Sequence, residues 1–76
     1  MKVKVIRNSD LSMVGRVFDV VYYDYDSVSG RVVFKAYDGR PVELYAGEVR
    51  IIFEDLRERL ELERYVYEKA FKDIWG

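Results

Sequence analysis

The sequence predicts a mainly β domain, in which a five-stranded antiparallel barrel is closed on one side by a single C-terminal α-helix. Apolar and polar residues alternate with period two over residues 31–53, and the turn dipeptide Asp38-Gly39 interrupts them once. Only residues 46–48 separate the last two predicted strands, which favours a small and strongly bent barrel. After these strands the apolar period becomes that of a helix. We therefore expect one domain, with the barrel in residues 2–53 and the helix in residues 54–75.

The first two predicted strands differ in how cleanly their apolar residues alternate. In residues 2–7, Val3 and Val5 occupy one face and lysines the other. In residues 15–25, apolar residues occur on both faces. Either both faces of this second strand are covered, or a bulge or sharp bend exchanges its inward face midway. We expect the bend, because a strand that joins two sheets would show this pattern.

The strand pattern resembles that of the SH3-like barrels. The resemblance lies in three short segments, namely Gly15-Arg16-Val17, Val32-x-Phe34 before Asp38-Gly39, and Leu44-Tyr45-Ala46-Gly47-Glu48-Val49. It implies a five-stranded barrel over residues 2–53. It implies no particular function, because unrelated functions share this barrel.

The predicted helix carries a wide apolar surface. Strong helix formers fill residues 54–75, and Glu54 and Asp55 stand where the helix dipole favours acids. At about 100° per residue, six side chains form one stripe that we expect to dock on the barrel: Leu56, Leu60, Tyr67, Ala70, Phe71 and Ile74. Three others flank the stripe, and we predict that they form an oligomer interface: Leu62, Val66 and Trp75.

The composition excludes several kinds of chemistry. The chain has 76 residues with no Cys and no His, which rules out disulfides, thiol nucleophiles, imidazole bases and the usual zinc sites. The five glycines are scattered and form no phosphate-binding loop. We therefore predict no catalytic residues, no metal site and no cofactor, and we expect the protein not to be an enzyme.

The residue types that are missing also indicate the habitat of the source organism. There is no Gln and no Thr and only one Asn, whereas Glu, Arg, Lys, Val and Tyr are abundant. This bias is typical of proteins from very hot habitats, although sampling in a short chain also produces it. No apolar run is long enough to span a membrane, and the chain begins with a predicted strand and not a signal peptide. We expect a cytoplasmic protein.

One candidate binding site is an interleaved set of aromatic and acidic residues along the second strand. Tyrosine offers rigid contact area at low entropic cost, and carboxylates select a basic partner. We predict a protein-binding surface made of Tyr22, Tyr23, Asp24, Tyr25 and Asp26. The alternative is an ordinary aromatic strand that runs into a solvated turn. The predicted function is a small non-enzymatic module that binds a protein partner or a second copy of itself.

A second candidate is a basic and aromatic sheet face that would bind nucleic acid. Basic groups would hold phosphates while aromatic rings stack on bases. The residues predicted for it are Arg31, Lys35, Tyr37, Arg40 and Tyr45. The layout is similar to that of small archaeal chromatin proteins, which have an SH3-like barrel and a C-terminal helix. Those proteins are strongly basic whereas this chain has a net charge of −1, so nucleic-acid binding remains the alternative function.

Overall fold

A computed structural model describes residues 1–75, with side chains as far as Phe71. In this part of the chain the elements are β1 (Lys2–Val5), a 3-10 turn (Leu11–Met13), β2 (Val17–Asp19), β3 (Tyr22–Asp26), β4 (Arg31–Tyr37), β5 (Pro41–Tyr45), a second 3-10 turn (Ala46–Glu48), β6 (Val49–Ile52) and α1 (Leu56–Trp75). The domain is mainly β with one C-terminal helix, as the sequence predicted.

The strands form two three-stranded antiparallel sheets and not one closed five-stranded barrel. The first sheet has the order β2-β1-β6 and the second has the order β3-β4-β5. There is one strand more than expected because the predicted second strand is divided into β2 and β3. The N–H of Val20 donates to the carbonyl of Met1 at 3.1 Å, whereas the N–H of Val21 donates to the carbonyl of Lys35 at 2.8 Å. The chain passes from one sheet to the other between these two residues, which confirms the predicted bend.

The core lies between the two sheets. Its most completely buried side chains are Val3 and Val5 from the first sheet and Phe34 and Leu44 from the second. Leu62 of α1 belongs to the same buried cluster. Full burial of a large apolar side chain stabilises a fold by about 1.5–3 kcal/mol, so these positions tolerate substitution least.

Two tight connections set how the strands return. At the hairpin between β4 and β5, Gly39 has a φ of +70°, a conformation that glycine adopts without a steric penalty. Between β5 and β6, the carboxylate of Glu48 accepts the backbone N–H of Tyr45 at 3.1 Å and the side-chain amide of Asn8 at 3.3 Å. These bonds hold the short turn, so that β6 comes back to pair with β1.

The first turn of α1 is fixed by carboxylates. Asp55 accepts the backbone N–H of Glu58 at 2.9 Å, and the Glu58 carboxylate accepts the N–H of Glu54 at 2.9 Å. Glu58 also pairs with the amino group of Met1 at 3.0 Å. The bond from Glu54 and the pairing with Met1 lower the pKa of Glu58. The helix start is therefore both capped and tied to the beginning of the first sheet.

The helix docks through a different face from the predicted stripe. Leu62 is 5% exposed, and Val66 packs against the same buried cluster. The stripe faces solvent instead, with exposed fractions of 67%, 54%, 70% and 50% at Leu56, Leu60, Tyr67 and Phe71. The prediction that the stripe docks is wrong, and the predicted interface residues Leu62 and Val66 pack within their own chain. The side chains of Ile74 and Trp75 lie outside the described residues.

Polar and aromatic contacts join the docked face of α1 to β3. The hydroxyl of Tyr65 donates to Oδ1 of Asp24 at 3.1 Å, and its ring meets the ring of Tyr23 edge-on with 5.0 Å between centroids. Leu62 and Tyr67 are five residues apart and so point about 140° apart around the helix. Once Leu62 and Tyr65 face the sheets, Tyr67 lies toward the exposed side of the helix.

Candidate functional site

The two candidate sites predicted from the sequence overlap in part on the outer face of the second sheet. The strand register places Tyr22 opposite Lys35, and Asp26 opposite Arg31. Residues of the two candidate sets are therefore cross-strand neighbours on this face. Tyr23 and Tyr25 have the other parity, and they pack against the core as half-buried side chains. The predicted acidic and aromatic set is thus split between the two faces of β3.

Much of the charge on this outer face is already engaged. Lys35 pairs with Glu43 on the neighbouring strand, and the hydrogen bond between them raises the pKa of Lys35. Asp26 accepts hydrogen bonds from the hydroxyl of Ser29 and the N–H of Val28, which lower the pKa of its carboxyl. The face therefore carries mixed charge, and it does not present an unopposed positive field to phosphates.

Asp24 has a structural partner that the sequence did not reveal. Its Oδ1 accepts both the hydroxyl of Tyr65 and the backbone N–H of Tyr25, at 3.1 Å and 2.9 Å. Burial, together with the bond to Asp24, raises the pKa of the Tyr65 hydroxyl. Asp24 thus anchors α1 along the edge of β3. No local pattern connects residues 24 and 65, so only the fold brings them together.

The remaining candidates of the basic set lie apart from one another. Tyr37 is exposed at the end of β4, Arg40 is exposed in the hairpin turn, and Tyr45 is half-buried at the end of β5. Tyr37 and Tyr22 both line an open hollow of about 270 Å³ at the hairpin end of the second sheet. Its rim includes the paired Lys35 and Glu43. This hollow is small and mostly apolar, and it does not extend beyond the hairpin end of the second sheet.

A larger concave surface lies between β6 and α1. This β6–α1 groove has a volume of about 560 Å³ and is lined by Ile51, Phe53, Arg59, Leu62, Glu63, Val66 and Tyr67. Its only charged lining residues, Arg59 and Glu63, form an ion pair at 3.0 Å. The groove is otherwise apolar, which is the chemistry expected where another molecule docks.

The groove continues onto the solvent side of the helix. Leu56, Leu60, Tyr67 and Phe71 form an exposed apolar stripe, which we name the outer helix face. The ring of Tyr67 belongs to both surfaces, since it lines the groove and stacks on Phe71 with 6.1 Å between centroids. The width of the apolar stripe in the sequence was a signal for this surface, but that pattern did not show which part would be buried.

Sequence reasoning missed a pair of like charges on the outer face of the first sheet. The register places Lys4 directly opposite Arg50. No ion pair among the described residues includes either side chain, whereas the neighbouring Lys2 lies 4.0 Å from Asp19. Like charges in this arrangement destabilise a sheet. The pair is visible only once the register of β1 and β6 is known.

The described residues contain no cluster of acidic side chains that could hold a metal ion and no helix that could span a membrane. Within them no group of three or more acidic side chains is arranged to hold a metal. The helix within the same range is too polar to cross a membrane. Comparisons with protein-family models, with curated proteins and with solved structures found no match for this chain.

Proposed function

We propose that this protein is a non-enzymatic interaction module that binds another protein through the β6–α1 groove and the outer helix face. The proposal rests on the continuity between the groove and the outer helix face. An apolar groove of about 560 Å³ runs into a helix face whose four large apolar side chains are at least half exposed. A contiguous apolar surface of this kind on a small domain marks a place where a partner binds.

The arrangement of the strands supports an SH3-like architecture, which we propose as the fold class. One strand is divided between two sheets at Val20 and Val21, and a 3-10 turn leads into a last strand that pairs with the first. These features agree with the resemblance seen in the sequence. The apolar surface indicates the function and this architecture does not, because such barrels serve many roles.

The proposal includes a homodimer as one form of the interaction. Two copies would pair their outer helix faces, and a stable interface needs about 800 Å² from each partner. Leu60→Glu should then keep the protein a 9.1 kDa monomer in sedimentation equilibrium at concentrations where the wild type doubles its mass. Equal masses for the two proteins at every concentration would remove the dimer and leave a heterologous partner.

Electrostatics favour a protein partner over nucleic acid. Lys35 is ion-paired with Glu43, Arg31 faces Asp26 across the sheet, and the net charge is −1. Nucleic-acid binding depends mainly on unopposed positive charge and falls steeply with salt. Binding of labelled oligonucleotides at low and moderate salt is therefore measured as the alternative in the test.

The test is a selection of displayed random peptides on the wild-type protein, followed by titration of the selected peptides. Tyr67→Glu places a charge in the groove, and Val28→Glu places the same charge in the β3–β4 turn, where Val28 is 95% exposed. Loss of a central aromatic contact costs about 2 kcal/mol, so Tyr67→Glu should weaken binding roughly thirtyfold. Val28→Glu should bind like the wild type.

Two results would overturn the proposal. One is a set of selected peptides that bind Tyr67→Glu as tightly as the wild type. The other is salt-sensitive micromolar binding of oligonucleotides in the absence of any selected peptide.

A further inference from the structure

One edge of the first sheet is open. β6 pairs with β1 on one side only, and no other described strand lies on its second side. On β1, both backbone groups of Val5 point toward β2, since its N–H donates to Arg16 at 2.9 Å and its carbonyl accepts from Gly15 at 2.8 Å. Along an antiparallel ladder, directly opposed pairs alternate: in one pair the backbone groups bond each other, and in the next pair they point away from each other. Val5 and the opposed Val49 are a pair of the second kind. Ile51, two residues after the Val49 that faces Val5, therefore directs its N–H and C=O away from β1.

The hydrogen bonds at the start of β6 agree with this direction of the Ile51 backbone groups. The N–H of Ile6 donates to the carbonyl of Glu48 at 2.8 Å, so every second residue from Glu48 onward bonds to β1. Outside the strand ladders, no backbone hydrogen bond among the described residues involves Ile51. The edge of β3 differs, because Asp24 caps the N–H of Tyr25 there and Tyr65 lies against it. The molecule protects one sheet edge with its helix and leaves the edge of β6 available.

The open edge runs beside the β6–α1 groove. Side chains alternate between the two faces of a strand, and a strand added next to β6 would follow the same alternation. Every second side chain would lie on the face of Ile51, where the groove presents Leu62 and Val66. Those side chains must be apolar, because the groove is apolar.

The other side chains of an added strand would lie on the outer face of the first sheet. There they would extend the row formed by Lys4 and Arg50, two cations opposite each other with no described acidic partner. A carboxylate next to Arg50 would turn this repulsion into attraction. The outward side chains of the strand are therefore acidic.

We propose that the partner segment binds as an antiparallel strand added to the open edge of β6, with apolar side chains in the groove alternating with acidic side chains beside Arg50. This inference rests on the proposed function, and it names the chemistry of the partner. Backbone hydrogen bonds provide the binding, and the alternation of side chains provides the selectivity.

The test uses a fluorescent peptide of alternating valine and glutamate, titrated by anisotropy. In an antiparallel pair the valine amides would face β6, because inward residues lie opposite Ile51. N-methylation of the valine amides should weaken binding about tenfold or more, since each methyl removes a hydrogen bond. The isomer methylated on the glutamate amides should bind like the unmodified peptide. The amide of Ile51 should become protected from hydrogen exchange when the peptide binds.

Charge exchange provides a second readout in the protein itself. Arg50→Glu should weaken the valine–glutamate peptide by about two- to thirtyfold and strengthen a valine–lysine peptide by a similar factor. Arg57→Glu, an exposed position on α1 that does not line the groove, is the matched control and should change neither.

Equal binding of the two methylated isomers, or an Arg50→Glu protein that keeps the wild-type preference, would refute strand addition. If the alternating peptide fails while display-selected peptides still require Tyr67, strand addition falls and the proposed function stands. If neither kind of peptide binds, both fall.

Discussion

Replacing Tyr65 with phenylalanine removes one hydroxyl and leaves the aromatic packing of α1 in place. That hydroxyl donates to the carboxylate of Asp24 at 3.1 Å, while the ring stays edge-on to Tyr23. A hydrogen bond to a charged group contributes about 1.5–3 kcal/mol, and partial exposure to water reduces this to about 1 kcal/mol. We expect Tyr65→Phe to lower the melting temperature by about 4–8 °C, because 1 kcal/mol has this effect in a domain of this size.

The assay is thermal unfolding followed by circular dichroism, with Tyr67→Phe as the matched control. Tyr67 is exposed on the same helix and lies on its outer face, so loss of its hydroxyl should leave the melting temperature unchanged. The pKa of Tyr65 is raised in the folded protein. Its contribution is therefore fully present below the ordinary tyrosine pKa of about 10, and it is lost as the pH rises through the higher folded value. Equal melting temperatures for both variants and the wild type at neutral pH would refute the docking described here.

The other predictions concern the core, the helix start and the first sheet. Leu62→Ala should lower the free energy of unfolding in urea by about 2–5 kcal/mol, and Leu60→Ala should change it by about 0.5 kcal/mol or less, because only Leu62 is buried. Glu58→Gln should destabilise the protein at neutral pH, and the difference should vanish as the pH falls through the lowered pKa of Glu58; a constant difference in melting temperature across acidic pH would contradict this. Lys4→Glu should raise stability in urea by about 0.2–1 kcal/mol, since it replaces a repulsive pair with an attractive one opposite Arg50, and a loss of stability would show that the register is wrong.

The local features of the sheets could be predicted from the sequence. Asp38-Gly39 indicated the hairpin, and the structure gives Gly39 the positive φ that such a turn requires. Apolar residues on both parities indicated a bend in the second strand, and the chain does change sheets between Val20 and Val21. Each of these signals depends on neighbours in the chain, which is why the sequence contained them.

The docking of the helix could not be predicted in the same way. The apolar stripe that includes Leu56 and Tyr67 is the more hydrophobic face, yet the face with Leu62 packs on the sheets. Its anchors are the hydrogen bond of Tyr65 to Asp24 and the edge-on contact with Tyr23. These contacts join residues that are about forty positions apart in the printed chain. A count of apolar residues on each face of a helix does not take such long-range contacts into account.

The candidate site was affected by the same limitation. Cross-strand neighbours such as Lys35 with Glu43 and Lys4 with Arg50 depend on strand register, which the sequence did not specify. Pairing neutralises Lys35, whereas register leaves Arg50 beside another cation. The predicted positive face therefore carries mixed charge, and the like-charged pair of Lys4 and Arg50 lies on the other sheet.

The most direct test of the proposed binding surface is a map of amide chemical shifts during titration with a display-selected peptide. The largest changes should lie at Ile51, Val66 and Tyr67, on both sides of the β6–α1 groove. Changes concentrated at Tyr22 and Tyr37, on the hairpin end of the second sheet, would contradict the proposed binding surface.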